Sequence, residues 1–266
     1  MNAWLSLTKK ELRLGLPAFM IPVIAYIIII GIASYFGYRA GYPWEAVVGV
    51  SITATGMLMF YLIYYLFFSM NAERKKLHLW LHNPLPAYSL LLAKVVSGLV
   101  FMAITLLITG SLTLIAANLS PELTNMVPWV QIKQFGFLGV VHFFMFALDL
   151  AIWFLFFWMV FLVMNRFTGN FLSFVTTFIF VIVSSTIYGW FTNSWIYEKL
   201  TMWGEINGAN LLKSLEINTD FTSEGGQFSS EMGEMSIYIG QYVFGILFAI
   251  GMFLVASWML ERKVEV

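Results

Sequence analysis

Two residues in the apolar part of this 266-residue chain carry side chains suited to charge or proton chemistry, His142 and Asp149. Seven residues apart, they fall on nearly the same face of a helix. Trp153 follows one turn later. Asp149 is the acidic residue set deepest in an apolar segment. It must face a polar cavity, find a partner or be protonated. One reading makes it a wall of a translocation path or half of a proton relay with His142. The other is a helix–helix hydrogen bond to Ser173, Thr176 or Thr177. A second pair, His78 and His82, has the four-residue spacing of metal ligands on a helix. No third ligand follows nearby, so no metal site is expected. The chain has no cysteine, which excludes disulfides, thiolate metal sites and thiol nucleophiles. No Gly-x-x-x-x-Gly-Lys phosphate loop occurs. Ser223-Glu224-Gly225-Gly226-Gln227 resembles a fragment of an ATPase signature, but without a phosphate loop it reads as a flexible Gly/Ser stretch. The chain is therefore not expected to be an enzyme, to have catalytic residues, or to hold a cofactor or metal.

The elements that position these residues follow from composition. Hydrophobic residues make up 60% and charged residues 11%, and mean hydropathy is +0.83. A soluble domain is nearer half apolar and a quarter charged. Net charge is zero, so nothing attracts nucleic acid. The solvent that fits is the lipid bilayer, and the fold expected is an all-α membrane protein in one transmembrane domain. A spanning helix needs about 20 mainly apolar residues. Six segments qualify, at 17–36, 45–70, 88–117, 134–165, 168–191 and 236–260. The polar run Asn165 to Asn170 is sized for a tight turn between the fourth and fifth. The first fifteen residues carry Lys9, Lys10, Glu11 and Arg13, which argues against a cleavable signal peptide.

Loop charges set the orientation. With the N-terminus in the cytoplasm, ten of the 14 basic residues fall inside, and Arg39, Lys133, Lys199 and Lys213 fall outside. Both termini are therefore expected to be cytoplasmic, in a cell membrane. Tyr35, Tyr38, Tyr42, Trp44, Trp129, Tyr188, Trp190 and Trp195 then lie at outer helix ends, as an aromatic belt does. Residues 2–16 place Trp4, Leu5, Leu7, Leu12 and Leu14 on one broad face, opposite Lys9, Lys10 and Arg13. This predicts an amphipathic helix lying in the inner leaflet. The outer loop 192–235 is too long to be a mere connector. The aromatics of the fourth helix surround it and read as lipid-facing and interhelical bulk. Gly49, Thr53 and Gly56 in the second helix and Gly240, Gly245 and Gly251 in the sixth are a weak signal of close helix contact.

The most informative stretch is the inner loop 71–87. Glu73, Arg74, Lys75 and Lys76 are charged, Leu77, Leu79, Trp80 and Leu81 form an apolar block, and Pro84 and Pro86 end any helix. An exposed Leu/Trp block needs a surface to dock on. In order, the acidic Glu73, the leucine-rich stretch, the prolines and the following Lys94 resemble the loop between the second and third helices of ABC-2-type exporter permeases. The whole-chain layout is similar too. Lys75, Lys76 and Leu77 stand where that family commonly has glycine and small residues.

The resemblance implies that the loop is a coupling helix, seated in a cleft of a separate cytosolic ABC ATPase subunit. The docking residues would be Glu73, Arg74, Leu77, Leu79, Trp80 and Leu81. ATP and Mg would be bound by that partner. A second permease chain, the same or a paralogue, would complete the transporter, and the family's cargoes include peptides, lipids, glycans and drugs. The alternative from the residues alone is secondary, ion-driven transport through Asp149 and His142.

Overall fold

The computed structural model describes residues 3–74, 85–126, 129–206 and 237–264. Helix α1 is Ala3–Ala40 and α2 is Pro43–Met57. A 3-10 turn, Leu58–Phe60, runs directly into α3, Tyr61–Arg74. Helix α4 is Ala87–Leu119, α5 is the short Pro121–Met126, and α6 is Trp129–Thr192. Helix α7 is Trp195–Thr201. Strand β1, Glu205–Ile206, pairs antiparallel with β2, Ile237–Tyr238. Helix α8, Ile239–Met259, ends in a π turn, Leu260–Val264. Five helical stretches are long and apolar enough to cross a membrane, with α2, the 3-10 turn and α3 counted as one.

Helix α6 is two helices in one run. At Gly169 the backbone takes φ 76° and ψ 169°, outside the helical region and open to glycine at little cost. The chain then folds back. Trp153 meets Tyr188 at 5.4 Å between ring centroids, and Phe157 meets Phe180 at 6.2 Å. Such pairs, centred on the break, make 129–168 and 170–192 an antiparallel hairpin. The polar run Asn165 to Asn170 therefore does turn the chain. Ser173 donates to the Gly169 carbonyl in the first turn of the second arm.

The core forms where several helices bring one face together. Ala147, Ala151, Leu155 and Met159 lie four residues apart on α6 and are buried. They pack with Leu62, Leu66 and Met70 of α3, Leu90, Leu91 and Met102 of α4, and Ala256 and Leu260 at the end of α8. Leu7, near the start of the chain, and Val264, near its end, belong to this same cluster. Lys10 and Glu11 meet Glu73 and Lys94, so the start of α1 lies beside the ends of α3 and α4 that flank residues 75–84. The opposite end holds the Ala40–Pro43 turn, where Glu45 accepts a short hydrogen bond from Ser120 at the end of α4. Outward faces are apolar, as Phe171, Phe174 and Leu107 illustrate. That pattern suits a lipid solvent.

Two expectations change. No break separates an interfacial helix 2–16 from a first span, because α1 runs through Pro17 and Pro22 as one helix of 38 residues, about 57 Å long. Its buried stripe is Leu7, Glu11, Gly15 and Ala18, while Leu5 and Leu14 are exposed. Second, of the glycines singled out only Gly240 is in close contact, where a Cβ would collide with the Thr201 carbonyl oxygen. A Cβ at Gly49, Gly56, Gly245 or Gly251 would meet nothing within 4 Å, whereas one at Gly98 would lie 2.6 Å from Leu62 and 2.7 Å from Tyr65. The long outer loop, too long for a connector, begins with the short helix α7, which packs on α8. The ring contacts of Trp158 with Phe67 and of Phe157 with Phe180 confirm interhelical bulk for the α6 aromatics, and Phe146 faces outward.

Candidate functional site

Among the described residues, two groups of polar side chains built around an ionisable residue stand within the apolar bundle. The first is built on Lys94, in the second turn of α4, with a side chain fully removed from solvent. Its stripe on α4 continues through Ser97, Phe101 and Thr105, all core-facing, so the position is buried by the periodicity of the helix. Lys94 Nζ lies 2.8 Å from Glu11 Oε2, 2.8 Å from Ser69 Oγ and 3.4 Å from Glu73 Oε1. An ammonium has three donors, and three oxygens receive them. Ser69 also donates to Glu11 at 3.3 Å, and Lys10 approaches Glu73 at 3.7 Å from the exposed side. Ser69 and Glu73 are one turn apart on α3, which presents both to the same ammonium. Tyr65, fully buried, donates to the Glu11 backbone carbonyl at 3.3 Å. Its ring fills the space beside Gly15 and Gly98, where a Cβ would collide with it. Three helices are thereby joined at a charge-balanced and hydrogen-bonded point, the condition under which buried ions are tolerated.

Of the residues expected to dock a partner, Glu73 and Arg74 are in place at the end of α3. Glu73 points inward to Lys94 rather than forming an exposed rim. Arg74 donates a short hydrogen bond to Asn170 and lies over the Phe161 ring at 4.9 Å, tying α3 to the α6 hairpin turn. Leu77, Leu79, Trp80 and Leu81 lie outside the described residues, as do His78 and His82. No group of three metal-capable side chains occurs among the described residues. Sequence reasoning paired Glu73 with Lys94 only by order along the chain and missed Glu11 and Ser69. A signal for Glu11 existed. It is the only acidic residue before Glu45, and it shares a helical stripe with Leu7, Gly15 and Ala18.

The second group lies on the first arm of α6. His142 and Asp149 line one cavity of about 880 Å³, bounded by α4, α6 and α8. The seven-residue spacing did place them on a common wall. His142 Nδ1 meets the Tyr242 hydroxyl of α8 at 3.2 Å, with the rings edge to face at 5.9 Å. Asp149 is half-buried, and among the described residues no hydrogen bond or ion pair reaches its carboxylate. Trp153, Tyr188 and Phe248 form an aromatic cluster one turn beyond it, with centroids 5.4–5.7 Å apart. The expected hydrogen bond to Ser173, Thr176 or Thr177 is absent. Ser173 and Thr176 donate to backbone carbonyls of their own helix, and Thr177 Oγ1 has no partner. The reason is register. The hairpin turns at Gly169, so Asp149 is level with the far end of the second arm and these hydroxyls are level with residues near the turn. An ionised carboxylate at membrane depth costs on the order of 2.5–3.5 kcal/mol by the lower scales.

Among the described residues, these features define a predominantly helical protein of membrane-spanning character in which the charge of Lys94 is paired and that of Asp149 is not. No protein-family model, no curated protein and no solved structure matches the chain.

Proposed function

We propose that the chain is the membrane-spanning subunit of an ATP-driven exporter of the ABC-2 type, powered by a separate cytosolic ATPase. Cutting α6 at Gly169 turns five apolar helical stretches into six spans. The start of α1 lies beside the ends of α3 and α4 that carry Glu73, Arg74 and Lys94, and the positive-inside rule supports assigning that end to the cytoplasmic side of a plasma membrane. The observation that carries the reading is the Glu11–Lys94–Glu73 cluster. It binds the two helices that flank the loop to each other and to α1. A push on a loop with so stiff a base moves helices rather than bending side chains. Interfaces and packed cores have discrete arrangements, so a displacement there is transmitted. The apolar Leu77, Leu79, Trp80 and Leu81 supply the anchor that an ATPase cleft would bury. A second permease chain is needed to give two such loops.

The test is affinity purification of the full chain from its native membrane beside a Leu79→Asp/Trp80→Asp variant, with mass spectrometry of what accompanies each. A soluble ATPase that comes with the native chain and is lost from the variant is the expected result. An equal yield of membrane protein with no ATPase in either preparation sinks the reading. A second reading, ion-driven transport, is favoured by one observation, that Asp149 and His142 share a cavity. Proton uptake into liposomes that requires Asp149 and no ATPase is its signature.

A further inference from the structure

We propose that the cavity between α4, α6 and α8 is a binding site for a lipophilic organic cation, with Asp149 as its counter-ion. The size is right, since cavities that enclose drug-sized ligands run to a few hundred cubic ångströms and up to about 1,000 Å³. This one has about 880 Å³ and walls that are mainly aliphatic and aromatic, including Leu99, Ile246, Ala249 and Phe253. Apolar walls alone would be indifferent to charge. Asp149 is what makes them selective, because its carboxylate faces the cavity with no basic partner among the described residues. The contrast with Lys94, saturated by three oxygens in the same bundle, shows that this protein supplies partners where the charge is structural.

The chemistry of the walls selects the kind of cation. A hard metal ion requires about six or more oxygen ligands. One carboxylate, with Gln241 and Tyr242 as the other oxygen-bearing side chains of the cavity, falls short of that. An ammonium or phosphonium carrying apolar groups needs no such shell. Its charge pairs with the carboxylate, its bulk replaces water against the apolar walls, and the rings among those walls, Phe144 and Phe253, favour positive charge. His142, held by Tyr242, lines the same cavity about two helical turns away along α6. That the cation is cargo rests on the exporter reading. That it binds does not.

The test is saturable binding of radiolabelled tetraphenylphosphonium to the full chain in phosphatidylcholine nanodiscs. Tetraphenylborate, nearly the same shape with opposite charge, is the control. Native protein is expected to bind the phosphonium saturably and the borate not at all. Asp149→Asn is expected to weaken binding at least tenfold, equivalent to about 1.4 kcal/mol. Gly245→Phe places a ring in the cavity from a position where a Cβ meets nothing within 4 Å, and it should abolish binding while the protein stays monodisperse. Should Asp149→Asn fail to fold, Gly245→Phe decides alone, and retained binding overturns the proposal. Equal binding of the borate, or unchanged binding in a folded Asp149→Asn, reduces the cavity to an apolar crevice and overturns it as well. Absent phosphonium binding with Asp149-dependent proton entry into liposomes would make the residue a proton carrier instead. Saturable binding without ATP-dependent extrusion leaves the site standing and removes the exporter reading.

Discussion

Lys94 and Asp149 are both ionisable residues set among apolar helices, and the bundle treats them in opposite ways. Around Lys94 the fold delivers two carboxylates and a hydroxyl from α1 and α3. Around Asp149 it delivers a cavity and no cation from the described residues. A charge whose partners are all built in holds helices together. A charge left facing a cavity is open to something that arrives. The difference lies in their surroundings rather than in residue type, and it separates a structural residue from a candidate functional one.

The strongest break of this comparison is Lys94→Met. It leaves Glu11 buried without a cation, and a stability loss of about 3–5 kcal/mol is expected. Loss of monodisperse protein after a short heating step would report it. A Glu11→Leu/Lys94→Met double variant should be less destabilised than the two single changes add up to, since removing both charges removes the unpaired one. Strict additivity would mean that the 2.8 Å contact contributes no coupling. Next in size is Gly98→Ala. Its Cβ would press on Leu62 and on Tyr65, the ring that packs the ionic cluster, and a cost of about 1–3 kcal/mol is expected from the same heating assay.

Asp149→Asn sharpens the contrast from the other side. No described residue depends on that charge, so the stability should stay within about 1 kcal/mol of the native value or rise, read as an unchanged or higher thermal midpoint. A loss as large as that of Lys94→Met would show that Asp149 is a structural charge after all. The smallest effect is expected for His142→Phe. It removes the bond to Tyr242, worth about 0.5–1.5 kcal/mol, and keeps an aromatic ring at that position.

Much of this architecture could be read from the order of residues. A spanning helix is recognised from its own residues, because each backbone group in lipid must be satisfied within the segment. That is why the apolar stretches, the turn near Gly169 and the outward aromatics emerged from local pattern. The site was legible in half. His142 and Asp149 share a wall because they share a helix, and a helix has a fixed period. Glu73 and Lys94 were visible as a pair in order, with no indication that they touch. Glu11 was hidden because, with the helix taken as lying on a membrane surface, it was grouped with its charged neighbours Lys9, Lys10 and Arg13 rather than with the stripe it shares with Leu7, Gly15 and Ala18. The α1 stripe is instead covered by α3 and α4, and burial of Gly15 and Ala18 beside it marks the close approach.

What the sequence by itself determined is what depends on a single helix: its length, its apolar character, its interruption at a glycine, and the residues that share its face. Only the tertiary structure decided which of those faces meet. The hairpin register at Gly169 moved Ser173, Thr176 and Thr177 away from Asp149, and the packing of α1 on α3 and α4 brought Glu11 to Lys94 from 83 positions away. The physical reason is that lipid and protein interior are equally apolar. Hydropathy therefore marks what leaves water, and only packing and polar pairing across helices select the neighbour.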